Sequence, residues 1–398
     1  MNNMVKLNNV LGRIPVHVAI IAMCVVWLLP AVGLLVTSFR PVQDVNETGW
    51  WMVFAPPKGA AEYKQFCSPC HGSNGSKVAG VNLFDPDLVS KYRRSMYLAA
   101  TFSKEFDGKV HIEKDQWPNE QQTANILSYL RRESGLDTRP RFTLSNYVDA
   151  LVGYRGRETY REECAKGNII PGERTCNFIK DMTTSQTGMG RAFINSLLVT
   201  IPATILPILF AAFAAYAFSW LDFHGRQVLF AILVGLQVVP LQMTLIPIYK
   251  IYTSLGLNGT FLGVWLFHTG FGLPYAIYLL RNFLGALPRD LFESAYLDGA
   301  SVWTAFFRLA IPLSVPAIAS LGIFQFLWVW NDLLVALVFL GGTTPVMTYQ
   351  ISNLVTSLGG GWHLLTAAAF LSMLLPMIVF FSLQRYFIRG ILAGSVKG

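Results

Sequence analysis

Three groups of residues have types and spacings that could do chemistry. Cys67-Ser68-Pro69-Cys70-His71 is a C-x-x-C-H run. Its two thiols can add to the vinyl groups of a haem and His71 can then ligate the iron, so the run reads as a site for one covalent haem c. Cys164 and Cys176 lie in one polar stretch. They either close a short loop as a disulfide or stand as two free thiols. Glu293, Ser294, Ala295, Gly299 and Pro312 sit in a charged interruption between apolar runs. There a carboxylate near a helix start, a permissive glycine and small flanking alanines suit docking rather than catalysis. No nucleophile, base and orienting acid group together, and no G-x-x-x-x-G-K-[ST] run is present. The chain is therefore expected not to be an enzyme, and any use of ATP must pass through a partner.

The neighbours of the C-x-x-C-H run strengthen its haem reading. Tyr63 and Phe66 precede it at helical spacing, Asp85-Pro86 has the types of a helix start, and Asn119 with Gln122 has those of a capping box. The last helix then has Ile126, Tyr129 and Leu130 on one face. This set resembles a class I cytochrome c, which implies a sixth ligand in the stretch ahead of the last helix. His111 is the candidate there, giving a bis-histidine haem of lower potential than a His/Met one, with Met96 as the alternative. A solvated loop histidine is the plain reading of His111. Zinc would need a second cysteine pair, and a thioredoxin-like site would need a βαβ pattern; neither is found.

The elements that must carry these groups belong to a membrane. The chain has 398 residues, of which only 14% are charged, with a mean hydropathy of +0.43. Six apolar stretches have spanning length: 18–38, 192–220, 227–249, 257–280, 311–330 running on to about 340, and 362–383. The first is long for a signal peptide and lacks a small-residue cleavage site, so it is expected to remain. The formal net charge of +8 fits cytoplasmic loops of a membrane protein and does not call for nucleic acid. The short connections near 253–258 and 341–361 carry no Lys or Arg, whereas Arg226, Arg281, Arg289, Arg308, Arg385, Arg389 and Lys397 lie on the other side. Both termini and the 293–312 stretch are thus expected in the cytoplasm, and residues 40–190 outside it. Haem attachment and disulfides both fit that outer side.

Glu293-Ser294-Ala295, three residues, Gly299, nine residues, then Leu309-Ala310-Ile311-Pro312 resembles the EAA loop of bacterial ABC importer membrane subunits. Ser294 stands where the family has Ala. Further signatures are Asn195-Ser196-Leu197, Ala214-Ala215-Tyr216-Ala217-Phe218, Pro240, Trp330-Asn331-Asp332 and the tail from Gln384 to Gly390. With them, residues 1–57 and about 140–398 resemble the maltose-transporter-type sugar permeases, closest to those for α-glucosides. The resemblance implies an all-α polytopic fold with six transmembrane helices, in the inner membrane. It also implies alternating access, two ATP-binding subunits docked on the EAA loop, a second permease subunit and a periplasmic sugar-binding protein. The glycine-rich 341–361 connection would reach toward that binding protein.

The expected organisation is a first segment and helix at 1–57, a small α-helical cytochrome c-like insertion at 58–138, a periplasmic segment at 139–190 and a permease core at 191–398. Within the core, Gln325, Asn331 and Asp332 are candidates for the translocation path, since polar groups in spans usually face a cavity or a partner. Helix capping or interhelical bonding is the other reading of Asn331 and Asp332. His268 reads as a packing histidine. Trp328 and Trp330 could stack on a sugar or anchor at the membrane surface. A second function class is a membrane-anchored c-type cytochrome with a vestigial permease part. The EAA spacing argues against it, because an anchor needs no coupling loop. A redox-gated transporter would need a two-state element that nothing in the sequence supplies.

Overall fold

The computed structural model describes residues 14–47, 49–54, 58–78, 80–92, 95–102, 105–106, 109–110, 117–136, 142–156, 158–167, 175–354 and 361–395. The chain divides into two compact units, residues 1–143 and 144–398.

In the first unit, α1 (Ile14–Ser38) is an apolar helix of 25 residues, about 37 Å long at 1.5 Å per residue. Gly33 lets the Trp50 ring lie close: a Cβ there would stand 2.8 Å from Trp50 Nε1. After α2 (Val42–Glu47), five short helices follow: α3 (Ala60–Phe66), α4 (Ser68–His71), α5 (Pro86–Ser90), α6 (Ser95–Ala99) and α7 (Glu120–Glu133). A two-residue antiparallel pair, β1 (Glu105–Phe106) and β2 (Lys109–Val110), precedes α7. The caps are those the sequence predicts. Asp85 accepts from Asp87 N at 3.0 Å, and Asn119 and Gln122 form a reciprocal capping box. The chain crosses α7 at Gly59, where a Cβ would stand 1.9 Å from Asn125 O. Tyr63, Val89, Leu98, Phe102, Ile126, Leu127 and Leu130 fill the core. Thr143 N–H donates to Phe39 O at 2.6 Å, so the chain returns to the end of α1.

The second unit opens with α8 (Ser145–Val152), α9 (Tyr160–Ala165) and α10 (Phe178–Thr184). Two buried carboxylates join them. Asp149 accepts from Tyr160 N at 2.8 Å, and Asp181 accepts from Tyr160 Oη at 2.6 Å and Thr175 Oγ1 at 2.9 Å. Cys164 and Cys176 are bonded, with Cα atoms 5.7 Å apart. Long helices follow: α11 (Met189–Trp220), the pair α12 (Arg226–Leu236) and α13 (Leu241–Ser254), and α14 (Phe261–Gly285). Then come α15 (Arg289–Leu297), α16 (Val302–Ala305), a π turn over Phe306–Ala310 and α17 (Ile311–Trp330). The chain ends with α18 (Leu334–Phe339), α19 (Met347–Leu354) and α20 (Trp362–Ser395). Helix α11 is central: it packs against α14 and α17.

Among the described residues, four helices are long and apolar enough to cross a membrane: Pro15–Ser38, Met189–Trp220, Val302–Trp330 and Trp362–Tyr386. The pair α12 and α13 makes a fifth if it is one span, bent by 99°. This is the expected third span, broken where Pro240 opens α13. The expected fourth span, α14, has the length but is not among the apolar helices. The fifth stops at Trp330 instead of running to about 340, because Asp332 turns its carboxylate onto the backbone of α18.

Candidate functional site

The 293–312 stretch is a helix, a sharp turn and a second helical piece. On α15, Phe292 and Tyr296 lie one turn apart and face the membrane helices. Phe292 is fully buried and stacks on Trp220 with ring centroids 3.9 Å apart. Tyr296 Oη lies 2.8 Å from Tyr216 Oη of α11. Helix α15 then ends in a Schellman motif. Gly299 N–H donates to Tyr296 O at 3.0 Å and Ala300 N–H to Ala295 O at 2.9 Å. Gly299 sits at φ +84°, the left-handed region that a Cβ disfavours. Ser301 restarts the chain by accepting from Thr304 N at 3.2 Å. Glu293, Ser294 and Gly299 are exposed and Ala295 is half-buried; Pro312, on α17, is also exposed. Leu297 is 88% exposed, whereas Trp303 packs on Phe213 of α11 and on Phe307. The segment is thus anchored by aromatic packing and leaves the Glu293 carboxylate and the Leu297 side chain exposed.

The polar candidates near the end of α17 are tied to backbone. Gln325 is buried between helices, donating from Nε2 to Ala203 O at 3.1 Å. Gly272 of α14 makes room for it, since a Cβ there would stand 2.7 Å from Gln325 Nε2. Asn331 donates to Leu327 O at 2.8 Å one turn back. Asp332 accepts from Val335 N at 3.4 Å and Ala336 N at 3.1 Å. The capping reading therefore describes Asn331 and Asp332 as they stand, and Gln325 is an interhelical tie. His268 is buried in α14. Trp330 is buried too: it packs on Phe326 and donates from Nε1 to Ser372 O at 3.0 Å, so it is a packing residue. Trp328 is part-exposed and meets His268 edge-on.

Sequence reasoning missed how α18 and α19 are held. Asn195 Nδ2 donates to Pro345 O at 2.8 Å and Ser196 Oγ accepts from Met347 N at 2.8 Å. Thr348 Oγ1 donates to Asp332 O at 2.7 Å. Gln350 Nε2 donates to Gln186 O. Asn195-Ser196 was visible as a signature, but its partners lie about 150 residues away, which local periodicity cannot reach.

The C-x-x-C-H run has different surroundings from those a haem requires. Cys67 is turned into the core and Cys70 faces solvent. Burial, with Cys70 nearby, pushes the Cys67 thiol up to about 12. His71 is buried. Tyr63 donates from its hydroxyl to Gly72 O at 2.8 Å, and its ring packs on Phe84 and Tyr129 at 5.3 and 5.2 Å. Met96 is exposed, and His111 lies outside the described residues. Among the described residues no three His, Cys, Asp or Glu side chains gather as metal ligands.

Known proteins identify the family and do not support the haem. Residues 194–393 match the family "Binding-protein-dependent transport system inner membrane component". An osmoprotective compounds uptake permease protein of Synechocystis sp. is 43% identical over 97% of this chain and 92% of its own length. An alpha-glucoside transport system permease protein of Rhizobium meliloti is 40% identical over 96% of this chain and 97% of its own. An arabinooligosaccharides transport system permease protein of Bacillus subtilis is 32% identical over 52% of this chain and 73% of its own. The expected haem c, with Cys67, Cys70 and His71 holding it and His111 or Met96 as sixth ligand, is therefore corrected. Permease relatives align across nearly the whole chain, the cytochrome c-like stretch included. The unit's core is already filled by its own side chains, so aromatic and apolar packing accounts for the helix pattern that suggested a cytochrome. With apolar helices of spanning length and a match over half its residues, this multi-pass chain belongs to the family of inner-membrane components of binding-protein-dependent transport systems.

Proposed function

We propose that this chain is one of two membrane-spanning permease subunits of an ATP-driven importer for α-glucosides or related oligosaccharides. The observation that carries the reading is the 40% identity to an alpha-glucoside transport system permease protein across 97% of that protein. The coupling segment supports it from the structure. Glu293, Ser294, Ala295, Gly299 and Pro312 are the residues that two ATP-binding subunits, one per permease, would engage. Phe292 and Tyr296 would pass the resulting motion to α11. Both termini and this segment would lie in the cytoplasm, by the positive-inside bias of the short loops. Residues of about 40–190 would then be periplasmic, where a disulfide between Cys164 and Cys176 persists. A periplasmic binding protein would deliver solute to the side carrying α18 and α19. Gln325, Asn331 and Asp332 would line or shape the path as α14 and α17 move.

The test is uptake by the complete transporter in proteoliposomes with its binding protein. Labelled maltose, trehalose and sucrose would be compared with labelled osmoprotective compounds, which the Synechocystis relative is named for. Saturable, ATP-dependent uptake of an α-glucoside supports the reading. Uptake confined to a non-sugar osmoprotectant, with binding-protein-stimulated ATP hydrolysis intact, would keep the permease and replace the solute.

A further inference from the structure

His268 is the least accommodated polar side chain in the membrane part of the chain. It is 1% exposed, and neither ring nitrogen has a hydrogen-bond partner among the described residues. Asp332 Oδ2 lies 3.9 Å from His268 Nε2. That is about 1 Å beyond a hydrogen bond. An imidazole needed only for packing would be replaced without loss by an apolar ring, because a buried polar group without a partner is destabilising. This carboxylate lies at a break. Residues 331–333 separate α17 from α18. Asp332 caps α18 through Val335 N and Ala336 N, and its carbonyl accepts from Thr348 Oγ1 of α19 at 2.7 Å. Trp328, one turn earlier on α17, holds the imidazole edge-on at 5.3 Å between centroids. One residue thus joins three elements, and an unpartnered ring nitrogen on a fourth lies 3.9 Å from its carboxylate.

We infer that His268 is a positioning residue for transport: His268 and Asp332 form a latch, open in this structure, that closes when α17 and α18 shift toward α14. Closure gives Nε2–H of His268 an acceptor and fixes α18 and α19 against α14. The register of these two helices is thereby tied to the state of the membrane helices. The latch has this role only in a permease that cycles with ATP, the reading proposed above, but it does not depend on which solute is carried.

The experiment uses the assembled transporter. In the first arm, the His268→Cys/Asp332→Cys pair is oxidised with copper phenanthroline, nucleotide-free and after trapping with ATP and vanadate. The cross-link is mapped by mass spectrometry. A rate that rises about tenfold or more on trapping supports closure; equal rates overturn it. In the second arm, His268→Phe keeps the ring and removes the nitrogens. The maximal transport rate is expected to fall about tenfold with the KM for loaded binding protein unchanged. His268→Gln restores a donor and recovers most of the rate. Wild-type rates in His268→Phe overturn the latch. Failure of the sugar panel with a trapping-dependent cross-link would reject the solute and leave the latch standing.

Discussion

Tyr216 of α11 and Tyr296 of α15 meet hydroxyl to hydroxyl at 2.8 Å, a polar contact that joins a membrane helix to the 293–312 stretch. Around it, Phe306 packs on Tyr216 and Phe292 stacks on Trp220. Aromatic rings transmit displacement because they cannot shear past one another without opening voids. Tyr296→Phe removes one partner but leaves Tyr216 Oη within 3.4 Å of Val302 O. A modest effect is expected: stability lower by about 1 kcal/mol and transport reduced several-fold, with ATP hydrolysis retained. Phe292→Ala opens a cavity in a fully buried site and should lower stability by about 3–5 kcal/mol. Melting of the purified transporter and the ratio of transport to ATP hydrolysis check both. Unchanged coupling in Tyr296→Phe would place the transmission elsewhere.

Gly299 offers a cleaner separation of backbone from contact. Its φ of +84° is left-handed, and nothing lies within 4 Å of the position a Cβ would take. Any loss on substitution within this chain is therefore conformational. Gly299→Ala should cost about 1 kcal/mol, whereas Gly299→Asn should cost less, because Asn tolerates that region. If docking on an ATP-binding subunit requires a bare surface here, both variants will lose assembly equally while melting differently. Co-purification of the ATP-binding subunit with each variant distinguishes the two.

The turn at Gly299 was legible because its logic is local: a glycine between two helical pieces suits the left-handed position where the first one ends. The capping box at Asn119 and the cap at Asp85 were legible for the same reason. The break after Trp330 was legible only as one of two readings of Asn331 and Asp332, because the apolar run resumes at once through Leu334–Leu340. The ties from Asn195 and Ser196 depend on residues far along the chain. The haem reading failed in an instructive way. A C-x-x-C-H run beside three short helices specifies a pattern, whereas a haem site also needs both thiols on one open face. Here one thiol is inside the core and the other outside.

That difference between the thiols can be measured. The Cys67 thiol is pushed up to about 12, chiefly by burial, so at pH 8 about one molecule in ten thousand carries the thiolate that alkylates. Brief iodoacetamide treatment of the native, reduced protein should modify Cys70 and spare Cys67, with both labelled after denaturation. The linkage has a definite sign. A raised thiol pKa contributes stability that is full below the unfolded value near 9 and is lost as pH rises toward about 12. Tyr63, raised to about 12 mainly by burial, adds to the same window. Stability of the first unit should therefore fall on the alkaline side, followed by the exposure of Tyr63. Equal labelling of both cysteines at pH 8 would show that Cys67 is not enclosed.

Asn195 and Ser196 carry the last expectation, because together they fix α19 onto α11. Asn195→Ala leaves the Pro345 carbonyl without its 2.8 Å donor, and Ser196→Ala leaves the Met347 N–H without its 2.8 Å acceptor. Both side chains are buried, so solvent does not readily replace the lost bond. Each change should lower stability by about 1–3 kcal/mol. The two contacts hold Pro345 and Met347, two residues apart in one segment, so they act as a unit. The double variant should lose less than the sum of the singles, since release of either end already frees the other. Limited proteolysis reads this directly, as faster cleavage within 341–354 at unchanged cleavage elsewhere. A transporter that imports normally with this segment released would mean that α18 and α19 only close the outer surface. Loss of binding-protein stimulation, with basal ATP hydrolysis intact, would make their fixed register a condition for receiving solute.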